Sequence, residues 1–234
     1  MEDRRILEAK EEPWELERHV RRIAHEFRSG FEAVDRLDRP AVTIFGSARI
    51  GEHDAVYGEA REVARRFAER GWAVVTGGGP GVMEAANRGA QEVGGLSIGF
   101  NIELPHEQQA NGYLDVSLTF RHFYVRKTMF VKAAEGFVVF PGGFGTADEL
   151  FEALTLIQTG KVLHFPVVMF DSGYWAELLE WMRHELLAGG MISPNDIDLL
   201  YVTDDLQEAV DVVVDCHVRR CAEVPASAAK ADAQ

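Results

Sequence analysis

Two cysteines in 234 residues, Cys216 and Cys221, both lie near the end of the chain and leave no second pair from which a disulfide framework could be built. That usage suits a reducing compartment. Basic side chains are also scarce, 24 Lys and Arg against 38 Asp and Glu, for a formal charge of −14. With no basic stripe, partnership with nucleic acid is disfavoured, and any phosphate must be held locally. No apolar run approaches the length that spans a bilayer, and residues 1–30 are charged where a signal peptide would be apolar. A cytoplasmic protein without membrane contact is expected. His106-Glu107 and His184-Glu185 each lack the second histidine that zinc needs one helical turn on, so no metal is expected either. A G-x-S-x-G elbow is missing, and neither cysteine sits in glycine-rich or basic surroundings that would activate a thiolate. No internal repeat stands out.

What the chain does contain is short apolar runs alternating with helical spacings. Strands are expected at Ala41–Phe45, Trp72–Val75, Leu96–Phe100, Phe137–Phe140, Pro166–Phe170 and near Leu199–Val202. The alternation implies an α/β fold with a parallel sheet covered on both faces. A chain of this length buries one sizeable core, so one domain, residues 41–218, is expected, with an addition at either end. In residues 1–40, Leu16, Val20, Ile23, Phe27, Phe31 and Val34 recur at helical spacing. They predict an amphipathic helix, broken or kinked around Ser29-Gly30, that covers either the following domain or a partner subunit. Residues 219–234 have few apolar anchors at their end and are expected to be disordered.

Three of the expected strands run into glycine turns. Ala41–Phe45 is followed by Gly46-Ser47-Ala48-Arg49, Trp72–Val75 by Thr76-Gly77-Gly78-Gly79-Pro80-Gly81, and Phe137–Phe140 by Pro141-Gly142-Gly143-Phe144-Gly145-Thr146. In the last, three glycines within four residues remove side chains so that backbone N–H groups can converge on a small anion, and the following helix adds its positive dipole end. The same stretch also fits a plain capping box, Thr146 with Glu149. A dinucleotide fingerprint fails because Val82 stands where the third glycine of G-x-G-x-x-G belongs. A P-loop fails because no glycine precedes Lys-Ser or Lys-Thr. Asn101–Asn111 reads as a polar rim or lid. From Arg121 a helical pattern places Arg126 on a stripe with Phe123, Phe130 and Ala133. A guanidinium there should meet a carboxylate or a phosphate, or else snorkel at the helix edge. Lys127, one position on, is expected to be solvated.

Together these residues resemble a known family. Pro141–Glu149 matches the P-G-G-x-G-T-x-x-E signature of the LONELY GUY (LOG) family, cytokinin riboside 5′-monophosphate phosphoribohydrolases often mislabelled as lysine decarboxylases. Arg126-Lys127 matches the Arg-Lys pair upstream of that signature. The likeness runs from about Ala41 to about Val214 and takes in Gly46-Ser47 and the Gly77–Gly81 loop. It implies a Rossmann-like, doubly wound fold, a homodimer or larger assembly, no cofactor, and hydrolysis of the N-glycosidic bond of a nucleoside 5′-monophosphate. It also implies that Arg126 and Glu149 form the catalytic pair. The substrate is then bound by Gly46, Ser47, Gly78, Gly79, Gly81, Lys127 and the amides of Gly142, Gly143, Gly145 and Thr146, with Met83 and Glu84 bordering the base.

The chemistry fits. Cleaving a ribose–base bond develops oxocarbenium character at C1′, which calls for a carboxylate beside the sugar and a donor for the departing base. Arg126 is expected to fix Glu149 and keep it ionised. The charged N-terminal helix, the Gly-Pro-Gly-Val-Met-Glu run and the Ala-Asp-Glu ending of the signature depart from the short plant-like members and resemble a longer bacterial branch. AMP or a related purine nucleotide then stands beside a cytokinin nucleotide as substrate. Two other classes use similar loops or names: a non-catalytic nucleotide carrier, and a pyridoxal-phosphate decarboxylase, which needs a Schiff-base lysine.

Overall fold

Ala41–Phe45, five apolar or β-branched residues in succession, forms the central strand β1 with every residue buried. The structure is a computed structural model and describes residues 13–104, 109–163 and 165–223. Beside β1 lie β2 (Ala73–Thr76) and β5 (Phe137–Val139), both parallel to it. Beyond them, β3 (Ser97–Ile102) and β4 (Val116–Phe120) extend one side, and β6 (Val167–Phe170) and β7 (Leu200–Thr203) the other. The sheet is parallel throughout, in the order β4-β3-β2-β1-β5-β6-β7. This is a doubly wound α/β fold.

Side chains alternate across a strand, so β1 feeds two cores. Val42 and Ile44 pack with α2 (Ala55–Glu69), α3 (Val82–Glu92) and α8 (Leu206–Glu223). Ala41 and Phe45 pack with α4 (Phe123–Ala133), α5 (Phe144–Gln158) and α6 (Ser172–Trp181). There Phe45 meets Phe130 and Phe137 edge-on, with ring centroids 5.0 and 4.9 Å away. Met182–Leu187 prolongs α6 as a π-helical turn, and the short α7 (Pro194–Ile197) precedes β7. Among the described residues, no helix is long and apolar enough to cross a membrane.

The structure departs from the sequence reading at an edge strand and toward both ends of the chain. The strand β4 was not expected. It lies at the sheet edge with Val116, Ser117 and Thr119 exposed, so it carries no continuous apolar run, only a weak alternation ending in Phe120. The N-terminal helix α1 (Pro13–Val34) is unbroken at Ser29-Gly30. Gly30 is buried there because a Cβ would lie 2.5 Å from Met129 Sδ, so the glycine serves close packing on α4, not a bend. Only the later part of the predicted stripe is covered: Ile23, Phe27 and Val34 reach the core, whereas Leu16 and Val20 are exposed. In the expected disordered tail, α8 continues to Glu223, and the remainder, like residues 1–12 and Pro105 of the polar loop, lies outside the described residues.

The helix α1 also makes a polar contact with α4. Both carboxylate oxygens of Glu26 accept from the Arg121 N–H, and one also lies 3.1 Å from Nδ1 of the buried His122. A carboxylate at the amide end of α4 satisfies donors that the helix itself leaves open.

Candidate active site

Between β1 and β5 the winding reverses, and at such a switch point the loops leaving the carboxyl ends diverge and open a crevice. Here it is a cleft of about 1230 Å³. The loops after β1, β2 and β5 border it, together with Asn101, Ile102, Leu104, Phe123, Arg126, Phe130, Tyr174 and Trp175. Of the residues selected from the sequence, Gly46, Ser47, Gly79, Met83, Arg126, Gly142, Gly143, Gly145, Thr146 and Glu149 line it. Gly78, Gly81, Glu84 and Lys127 do not. Arg49 and Tyr174 line it without having been singled out, and each follows a strand at the same sheet edge, which is the only signal the sequence offered for them. Asn101, the first residue of the stretch read as a polar rim or lid, lines it too.

The loop after β5 is open. Gly143 and Gly145 are exposed, and a Cβ on either would meet nothing within 4 Å. α5 starts at Phe144 with Gly143 as N-cap and no side-chain cap, so the Thr146–Glu149 capping box is not formed. Ala147 N–H makes the first helical bond, to Gly143 O. Among the described residues, the N–H groups of Gly143, Phe144, Gly145 and Thr146 have no acceptor. Gly142 is a glycine for a different reason. A Cβ there would collide with the Thr146 side chain, which packs against the turn.

Glu149 follows one turn later and is 7% exposed. Burial pushes its carboxyl up to about 7, helped by the charges of Glu152 and Asp148 and opposed by Lys127 and Arg126. This corrects the expectation that pairing with Arg126 keeps the glutamate ionised: desolvation outweighs the attraction. Arg126 is not ion-paired with Glu149 among the described residues. Its Nε donates to Phe100 O at 2.6 Å, Nη2 donates to Gly77 O at 3.3 Å, and the guanidinium lies 5.0 Å from the centroid of the Phe130 ring. Carbonyls of the β3 end and the second glycine loop therefore hold it, not a carboxylate. Burial draws it down to about 10, still charged at neutral pH, while Glu149 opposes the shift. Lys127 is not solvated. It bridges Asp148 and Glu152 on α5 at 2.9 and 3.1 Å; Asp148 lines the cleft, whereas Lys127 and Glu152 do not.

The loop after β2 is packed. Asn87 Oδ1 accepts from Thr76 Oγ1 at 2.6 Å and from Asn111 Nδ2 at 2.9 Å, and Asn111 N–H donates to Gly78 O. Gly78 has φ +70° and faces Asn101, while Gly81 has φ +71° and faces the Ser47 carbonyl. Glu84 accepts from the Tyr57 hydroxyl at 3.0 Å. Among the described residues, no group of three or more His, Cys, Asp or Glu could hold a metal ion.

Residues 83–213 match the family model described as "Possible lysine decarboxylase". The cytokinin riboside 5′-monophosphate phosphoribohydrolase of Mycobacterium tuberculosis is 34% identical over 154 residues, 64% of this chain and 81% of that one. The enzyme of the same name from Rhodococcoides fascians is 28% identical over 179 residues, 74% and 88% of the two chains. Among solved structures, one described as TM1055 is similar with a TM-score of 0.58 and 25% identity, covering 75% of this chain and 99% of that one. The Moco carrier protein of Chlamydomonas reinhardtii is similar with a TM-score of 0.57 and 26% identity, covering 77% and 99%.

Proposed function

The chain belongs to the LOG family, and from that premise we propose that it hydrolyses the N-glycosidic bond of a purine or cytokinin nucleoside 5′-monophosphate, releasing free base and ribose 5-phosphate. One observation carries the reading: unbonded amides at the α5 mouth precede the buried Glu149 by one helical turn, a backbone rise of about 5 Å, and both line the same cleft. The amides hold the 5′-phosphate, as helix N-termini hold anions. The ribose then spans the turn, which sets C1′ against Glu149. As the C1′–N bond breaks, its electron pair leaves with the base, which takes a proton from solvent; the carboxylate stabilises the developing positive charge and accepts a proton from the water whose oxygen bonds C1′. Arg126 keeps its remaining N–H donors for the ribose or the departing base. Because the base form of Glu149 is required, turnover rises with pH through about 7.

The apolar side chains of Met83, Ile102, Leu104 and Phe123 along the cleft suit a purine, and the cleft has room for a substituted one. AMP and an N6-substituted AMP are therefore both candidate substrates. Incubation with each, followed by separation of free base, tests the reading. Release of adenine or its derivative with ribose 5-phosphate is expected, and release from neither sinks it.

A carrier reading draws on the likeness to the Moco carrier protein. Tight nucleotide binding with no base released would favour it. Decarboxylation of lysine finds no support, since no lysine is among the described residues lining the cleft. The reading includes a homo-oligomer, supported by exposed Phe123, Tyr124 and Phe144, the last 97% exposed beside the cleft, and a cytoplasmic setting, in keeping with the two cysteines. A solution mass of 26.1 kDa, that of one chain, would remove that part.

A further inference from the structure

Tyr174 enters neither the family signature nor the chemistry above, yet its hydroxyl donates to Gly142 O at 2.6 Å. We propose that Tyr174 is a positioning residue that locks the Gly142–Gly143 peptide so that the Gly143 N–H faces the substrate phosphate. The proposal rests on the phosphate-cradle reading.

In a trans peptide the C=O and N–H point in opposite directions, so a clamp on the Gly142 oxygen sets the direction of the Gly143 N–H. This peptide has particular need of a clamp. It is flanked by glycines on both sides, and glycine opposes a flip of the peptide plane less than any other residue. The preceding peptide is tied too, through Ser47 N–H to Pro141 O at 2.9 Å. Two successive carbonyls are thus held from opposite sides of the turn, one by the loop after β1 and one by the start of α6.

The start of α6 is itself built to present the tyrosine. Asp171, the only non-glycine residue with positive φ among the described residues, has φ 77°, and its carboxylate accepts from Tyr174 N–H at 3.0 Å. A left-handed aspartate costs conformational energy, and such strain persists only where the surroundings impose it. Here they do: Ser172 N–H and hydroxyl both donate to Asp204 at 2.6 Å, and the next residue, Trp175, is buried with its indole N–H on Phe170 O. Tyr174 itself is 49% exposed, so core packing does not account for the arrangement.

The test is Tyr174→Phe, which keeps the ring and removes one hydroxyl, with Tyr201→Phe on β7 as the control. Titration calorimetry with inorganic phosphate and with ribose 5-phosphate should show affinity about three- to tenfold weaker than wild type for Tyr174→Phe, the worth of one neutral hydrogen bond, and unchanged for the control. Affinity for adenosine, which lacks the phosphate, should not move. With AMP, KM should rise by the same factor and kcat stay within about twofold. Phosphate affinity equal to wild type in Tyr174→Phe overturns the proposal, and so does an equal loss for adenosine. If the wild type binds phosphate and releases no base, the hydrolase reading falls while the binding comparison still decides the role of Tyr174. If the wild type binds neither phosphate nor ribose 5-phosphate, the role of Tyr174 falls, and base release alone decides the hydrolase reading.

Discussion

The two glycine loops flanking β1 look alike on paper and are opposite in use. In the loop after β2, glycine is required because other atoms of the protein come too close: Gly78 and Gly81 have positive φ and face Asn101 and the Ser47 carbonyl. Thr76, Asn87 and Asn111 brace the loop with hydrogen bonds, that of Thr76 to Asn87 buried and that of Asn111 to Asn87 partly so. In the loop after β5, Gly143 and Gly145 have open space around them and unbonded amides. The first loop uses Gly78 and Gly81 for packing, whereas the second keeps open space at Gly143 and Gly145, where the phosphate is proposed to bind. What a glycine-rich turn is for depends on its neighbours, which are remote in sequence.

The comparison is broken most severely, or upheld, by exchanging the acid on the helix that follows each loop. Glu149→Gln should lower kcat roughly a thousandfold, the usual worth of a general base, with nucleotide binding largely kept. Glu84→Gln should change kcat only a few-fold, since Glu84 is held by Tyr57 outside the cleft. Comparable losses in both would erase the distinction. Next in size is stability. Gly81→Ala meets both a positive φ and the Ser47 carbonyl and should cost about 3 kcal/mol, or roughly 6–12 °C in melting temperature. Gly145→Ala should shift melting by less than about 2 °C while weakening phosphate binding. A cooperative melt of each variant decides.

The smallest effect sharpens the account of Glu149. Its folded pKa, about 7, lies above the ordinary value of 4.5, so the folded state keeps a proton that the unfolded chain releases between those values. Stability from this group is therefore full below about 4.5 and is lost as pH rises towards 7, by at most roughly 3 kcal/mol. Glu149→Gln should remove that slope and be the more stable protein at pH 8. Denaturant midpoints at several pH values measure it, and parallel curves for the two proteins would contradict the shift.

The sheet was legible because buried parallel strands are continuous apolar runs: β1, β2, β5 and β6 announce themselves in Ala41–Phe45, Ala73–Thr76, Phe137–Val139 and Val167–Phe170. Edge strand β4, half polar, did not. Most of the cleft was legible from glycine turns following apolar runs. The packed role of Gly78 and Gly81 was not, because Asn101 and Ser47 reach them only through the tertiary fold. The same limit hid the carbonyl grip on Arg126 and the Lys127 bridge to Asp148 and Glu152. A stripe of spacing shows which helix face is inward, but not which atoms wait there.

Glu26 ties the amino-terminal helix to Arg121 and His122, the residues that lead into the helix carrying the guanidinium of the cleft. Residues that never border the substrate thus belong to the same mechanical assembly as those that do. Trimming the chain to its sheet would leave every loop in the sequence and unseat the arm from which Arg126 hangs.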